Sequence, residues 1–315
     1  MEIVLNIFYF LGGLAALYFG ADYLVKGGSD IAGRFGISPL VIGLTLVAFA
    51  TSAPELAVSV SSALQNNPGI AMGNVVGSNI VNIGLILGIC ACIIPLNVNK
   101  RLLKKDVPLM IGTAVALTLF YFLQNSLSRL AGGIFFCILL VDTVCNIVSS
   151  RKGSMQEENN GAVYPLYLAV IIVIASLGAL VGGAKIFLLS AVYFAKMWHL
   201  SDAVIGLTVV AVGTSLPELA TSVVAACKGE KDIALGNVIG SNIFNILGIL
   251  GVTALIKPIP GGALNYIDFG VMGFLFLLLF VFMASGKTVS RIEGAILTIG
   301  YIGYTVYLVL CGTAV

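Results

Sequence analysis

The chain repeats itself. Residues 38–95 and 201–258 align at a constant offset of 163 without a gap, and about 34 of the 58 positions are identical. The run Thr51-Ser52-Ala53-Pro54-Glu55-Leu56-Ala57 returns as Thr214-Ser215-Leu216-Pro217-Glu218-Leu219-Ala220. Gly73-Asn74, Gly77-Ser78-Asn79 and Asn82 return as Gly236-Asn237, Gly240-Ser241-Asn242 and Asn245. Shared apolarity alone would not keep polar residues in register. The fold must therefore accommodate two copies of one unit, each carrying the same polar residues.

Composition says where those units sit. The chain is 59% hydrophobic and 10% charged, and its mean hydropathy is +1.09. Soluble domains carry roughly 25% charged residues, so there is too little polar surface to wrap a water-facing globule. Disorder, coiled coil, collagen and a disulfide scaffold fall with it, and a net charge of +2 suggests no nucleic-acid partner. The apolar runs are continuous and do not alternate, which favours helices over a barrel. A spanning helix needs about 20 mainly apolar residues. Ten candidates fit, at about 5–25, 38–64, 70–95, 107–124, 128–148, 163–193, 201–227, 233–256, 266–285 and 290–311. The first is not expected to be a cleaved signal, since it opens with Glu2 and has no basic start.

The expectation is an all-α membrane protein of ten transmembrane helices in two five-helix repeats. Residues 1–148 and 163–315 form the repeats, and 149–162 a short cytoplasmic linker. Five is odd, so the second repeat enters the membrane inverted, an arrangement typical of transporters that bind cargo near the midplane. Twelve Lys and Arg fall in one set of loops and three in the other, with Lys185 inside a span. The positive-inside rule then puts both termini on the extracellular or periplasmic side of a plasma (inner) membrane.

Glu55 and Glu218 lie well inside apolar spans. A carboxylate at the bilayer centre costs at least about 2.5–3.5 kcal/mol and needs a partner. No Lys or Arg lies near either one within its span. Protonated glutamates held by hydroxyls would be the bland answer; the functional answer is a cation shared by the pair. Thr51, Ser52 and Glu55 share one face of a helix, as do Thr214, Ser215 and Glu218. Pro54 and Pro217 each remove a backbone donor in mid-span, which should free the carbonyls of Ala50 and Gly213. Asn74, Ser78 and Asn82 form a polar stripe on the next helix, repeated by Asn237, Ser241 and Asn245. Asn74 and Asn237 are equally well read as interhelical hydrogen-bonding residues. Asn79 and Asn242 fall off the stripe and read as packing or capping residues.

The donors are all oxygen, which suits Ca2+ or Na+ and argues against zinc or copper. The single histidine, His199, reads as interfacial, the six cysteines as small core residues, and Asp22 and Asp142 as solvated or helix-end charges. Two ionised glutamates carry −2, which one Ca2+ or two Na+ would neutralise. An intramembrane hydrolase using Ser52 or Ser215 finds no nearby base, and no enzymatic role or cofactor is expected. A passive channel fits two buried carboxylates less well than tight binding and slow turnover.

These motifs resemble the paired alpha-repeats of the sodium/calcium exchanger family, within the calcium/cation antiporter superfamily. The matching segments are 43–55 with 73–82 and 206–218 with 236–245, and the resemblance in span count extends it over essentially the whole chain. It implies Na+/Ca2+ exchange by alternating access, with Glu55 and Glu218 as shared ligands. Thr51, Ser52, Ser78, Thr214, Ser215 and Ser241 would complete the sites, Asn82 and Asn245 would line the centre, and Ala48 and Ala211 would offer carbonyls. It also implies that the first and sixth helices slide over the core. Some relatives, including a K+-dependent branch, have aspartate at the position of Asn245, and proton-coupled ones tend to have an acid at Gly77 and Gly240. Asparagine and glycine here favour K+-independent Na+ coupling. A H+/Ca2+ antiporter using the same glutamates, or one carrying another divalent cation, stays open.

Overall fold

The structure is a computed structural model that describes residues 2–153, 163–198, 211–261 and 264–312. His199, the linker from 154 and the start of the expected seventh span, 201–210, lie outside the described residues. Eight described helices are long and apolar enough to cross a membrane, and a bent pair makes a ninth. They are α1 (Glu2–Phe35), the bent pair α2 (Pro39–Thr51) and α3 (Ala53–Leu64), α4 (Gly69–Ile93), α5 (Leu102–Leu123), α6 (Arg129–Gly153), α7 (Leu166–Met197), α10 (Lys231–Ile256), α11 (Tyr266–Gly286) and α12 (Arg291–Gly312). Between α7 and α10 lie a single turn, α8 (Ala211–Thr214), and the shorter apolar helix α9 (Leu216–Cys227).

The repeated motifs occupy the middle of the bundle. The most apolar stretches of α4 and α10 are 72% and 78% buried within the protein, against 17% for α1 and α12. Glycines allow this crowding by omitting a side chain where backbones meet. A Cβ on Gly236 would lie 2.6 Å from the Leu40 carbonyl oxygen, and one on Gly240 2.6 Å from that of Leu44. α10 of the second copy is thereby pressed against α2 of the first. α1 and α7 pair outside this core, and a Cβ on Gly13 would meet the Phe187 nitrogen at 2.7 Å. At 34 residues, α1 reaches about 51 Å, well beyond the roughly 30 Å of hydrocarbon. The apolar run 5–25 predicted only part of its length.

The helices bearing the glutamates are broken, which corrects the reading that Thr51, Ser52 and Glu55 share one continuous helical face. α2 stops at Thr51, Ser52 leaves helical geometry at φ −84°, ψ 6°, and α3 restarts at a 45° bend. Ser215 does the same at φ −90°, ψ 11°. Proline in the first turn of each new helix explains the restart, because it needs no donor there.

Two features absent from the sequence reading tie the halves together. Two-residue ladders join β1 (Leu96–Asn97) to β4 (Thr288–Val289) and β2 (Ser126–Leu127) to β3 (Ile259–Pro260). α5 separates β1 from β2 and α11 separates β3 from β4, so the two clips lie at opposite ends of the bundle. Arg129 also donates to the Ile256 carbonyl at 3.4 Å, and Arg291 to that of Ile93 at 3.3 Å.

Other expectations are corrected. Of the cysteines, Cys90 is buried, but Cys92, Cys137, Cys145 and Cys227 are exposed. Those four face outward from an apolar protein and are not core residues. Asp22 is not solvated: it is 8% exposed and forms ion pairs with Lys26 at 3.0 Å and with Lys228. Asp142 pairs with Lys105 at 2.9 Å and accepts from Asn146 at 2.8 Å.

Candidate functional site

The two helix breaks meet at the centre, and there the glutamates exchange partners. The Ser52 hydroxyl donates to Glu218 Oε1 at 2.9 Å, and the Ser215 hydroxyl to Glu55 Oε1 at 3.4 Å. Each serine thus serves the carboxylate of the other copy. All four residues are fully buried, and Oε2 of each glutamate has no hydrogen-bond partner among the described residues. Desolvating two carboxylates without further compensation is strongly unfavourable. Among the described residues no three His, Cys, Asp or Glu side chains cluster, so the remaining donors here are neutral oxygens.

Those donors come from the motif helices. Ser215 Oγ also lies 3.4 Å from Ser78 Oγ, within reach of a shared hydrogen bond. Asn82, Ser241 and Asn245 are buried, and Asn82 Oδ1 and Nδ2, Ser241 Oγ and Asn245 Oδ1 have no partner among the described residues. Asn82 and Asn245 each open a π-helical turn, Asn82–Leu87 and Asn245–Leu250. Such turns occur often at functional sites, since they displace a side chain from regular spacing.

Thr51 is buried, and its hydroxyl, with a single proton to donate, lies within hydrogen-bond reach of Asn237 Oδ1 at 3.2 Å and of the Ala48 carbonyl at 3.3 Å. That carbonyl also accepts from Ser52 N at 3.0 Å. Thr214 is half-buried at the end of α8, and Ala211 begins that turn. Ser215 N bonds Val212 O at 3.1 Å, one residue later than the matching bond in the first copy.

Asn74 and Asn237 take the interhelical role. Asn74 Nδ2 donates to Glu55 O at 3.2 Å and Ser59 Oγ at 2.9 Å. Asn237 Nδ2 donates to Glu218 O at 3.4 Å and Ser222 Oγ at 2.9 Å. Each amide clamps the restarted helix over its first turns and so fixes the backbone that carries the glutamate. Ser59 and Ser222 went unremarked in the sequence reading, although they too are a buried polar pair at the offset of 163.

Comparison with known proteins identifies the family. The family described as sodium/calcium exchanger protein matches residues 5–148 and 168–310. The chain is 36% identical to the sodium/calcium exchanger MaX1 of Methanosarcina acetivorans, over 97% of this chain and 99% of that one. It is also 36% identical to the inner membrane protein YrbG of Escherichia coli, over 92% of each. A solved structure of the sodium-calcium exchanger NCX_Mj superimposes with a TM-score of 0.84 at 33% identity, covering 97% and 99% of the two chains. This multi-pass membrane protein is an antiporter and belongs to the sodium/calcium exchanger family.

Proposed function

We propose that the chain exchanges Na+ for Ca2+ by alternating access and carries its ions at Glu55 and Glu218. Thr51, Ser52, Ser78, Asn82, Thr214, Ser215, Ser241 and Asn245 complete the sites. The carbonyls of Ala48 and Ala211 are further candidate backbone ligands. The observation that carries this reading is the crossed serine–glutamate pair with one free oxygen on each buried carboxylate. The free oxygens of Asn82, Ser241 and Asn245 supply neutral donors of the kind that hard cations prefer.

The same charge arithmetic explains obligatory exchange. Two bare carboxylates in a low-dielectric core repel one another and have lost their hydration. A site neutralised by one Ca2+ or two Na+ avoids that cost, so it can pass between access states loaded but not empty. Solved structures of NCX_Mj soaked with Na+ together with Ca2+ or Sr2+ lend weight to these cargoes.

The unit is ten spans in two inverted repeats, 1–148 and 163–315, joined by 149–162, with both termini outside an inner membrane. The family match in two stretches supports the division. Inversion is supported by the clips: β1 and β3 are the same positions in the two copies, yet they belong to clips at opposite ends of the bundle.

The test uses purified protein in Na+-loaded vesicles diluted into Na+-free buffer with labelled Ca2+. Uptake that needs the outward Na+ gradient, and is lost in Glu55→Gln and Glu218→Gln, is the expected result. Uptake driven by a pH gradient with no Na+ present would replace Na+ with H+ as the coupling ion.

A further inference from the structure

Asn79 lies outside the set of ion-binding residues, yet it is fully buried and touches one of them. Its Oδ1 accepts from Asn245 Nδ2 at 3.1 Å, and its own Nδ2 points at the Met272 sulfur at 3.8 Å. A thioether has lone pairs and no proton, so it can face an amide N–H but offers nothing to an amide oxygen. Met272 on α11 is itself fully buried. The three groups form a one-way chain: sulfur accepts from Asn79, and Asn79 accepts from Asn245. The Asn245 nitrogen is thereby committed, and Oδ1 is left as the free end of the amide. The reverse order would point the Asn79 oxygen at sulfur and leave the Asn245 nitrogen free.

We infer that Asn79, backed by Met272, is a positioning residue that holds Asn245 with its oxygen, not its nitrogen, available to the cation. The inference rests on the proposed membership of Asn245 in the site. The first copy lacks this device. Asn242, the mate of Asn79, donates to Val238 O of its own helix at 2.7 Å, and Asn82 keeps both amide atoms free. The two central asparagines therefore differ in kind: Asn82 can turn either end of its amide to the site, whereas Asn245 presents oxygen only. A carboxylate at 245 could be met by rotating Asn79, whose nitrogen is held by nothing stronger than a sulfur.

The test is Ca2+ binding to the purified full-length protein by calorimetry, read as a double-mutant cycle. Asn79→Leu is expected to raise the Ca2+ Kd about fivefold, as loss of one orienting hydrogen bond does. In an Asn245→Ala background the same change should alter Kd by less than about twofold, because there is no amide left to orient. An equal effect in both backgrounds, or no effect in either, overturns the inference and leaves Asn79 a packing residue. Should Asn79→Leu not fold, Met272→Leu keeps the volume, removes the sulfur, and should raise Kd about twofold only while Asn245 is present. If Asn245→Ala alone leaves Kd unchanged while Glu55→Gln abolishes binding, the inference is overturned and the glutamate site stands. If Glu55→Gln binds normally, the site itself is wrong, and the inference falls with it.

Discussion

The two copies of the polar motif carry the same residues and satisfy them differently. Glu218 accepts a 2.9 Å hydrogen bond from Ser52, while Glu55 accepts a longer one, 3.4 Å, from Ser215. Asn237 is held by Thr51, Glu218 O and Ser222, whereas among the described residues the hydrogen bonds of Asn74 go to Glu55 O and Ser59. Asn245 is held through Asn79, and the Asn82 amide has no hydrogen-bond partner among the described residues. A duplicated sequence thus sets which polar groups reach the centre. The unduplicated surroundings, such as Met272, decide how each is used. Two sets of identical residues can then differ in stiffness.

The largest test concerns packing. A Cβ on Gly240 would approach Leu44 O to 2.6 Å and Leu44 Cα to 2.7 Å, and neither atom is on a flexible side chain. Gly240→Ala must push α10 away from α2, at a cost of about 3 kcal/mol. A melting curve in detergent should show the loss. A melting point unchanged from the parent would mean that the second-copy helix is not pressed against the first copy as described.

Next comes the amide clamp. Asn237→Ala removes three buried hydrogen bonds and should cost about 2 kcal/mol, against about 1 kcal/mol for Asn74→Ala, which removes two and is less buried. Comparative melting of the two variants decides it. Equal losses would show that the extra bond from Thr51 adds nothing and that the copies are equivalent there.

The serines sharpen the comparison at the ion itself. Ser52→Ala should raise the Ca2+ Kd about tenfold, because it removes a short bond to a carboxylate. Ser215→Ala removes a long bond whose hydroxyl is shared with Ser78, and should raise it only about threefold. The reverse order in a titration of both variants would mean that the bound ion, and not the ion-free hydrogen bonding, sets the contribution of each serine.

How much of this was legible beforehand depends on contrast with the surroundings. Glu55, Glu218 and the serines stood out because a polar residue in an apolar run has a cost that must be offset. Their crossed partnership did not, because each partner lies 160 or more residues away and only the assembled halves bring them together. The contact between Asn79 and Asn245 was hidden for a related reason. Helical spacing put it off the stripe defined by Ser78 and Asn82, but α4 meets α10 closely enough for the off-stripe side chain to reach the other copy's Asn245. The cysteines failed on different grounds. The outer face of a membrane protein is as apolar as its core, so hydrophobicity cannot tell Cys137 or Cys145 from Cys90. The two clips were invisible because two residues carry no periodicity.

The smallest test lies where the copies differ in sequence. At the offset of 163, Asp22 on α1 corresponds to Lys185 on α7, and Lys228 at the end of α9 corresponds to Gln65. Asp22 pairs with Lys228, which ties α1 to the helix bearing Glu218, while Lys185 is exposed. Both lysine partners of Asp22 are partly exposed, so solvent screens the interaction. Lys228→Ala should therefore lower stability by no more than about 1 kcal/mol, and high salt should shrink the difference further. Melting of parent and variant at low and high ionic strength measures both. A loss that is larger, or indifferent to salt, would show that Lys228 contributes through its packed aliphatic stem. The first copy would then be tied to α9 by contact, and the charge difference between Asp22 and Lys185 would not distinguish the halves.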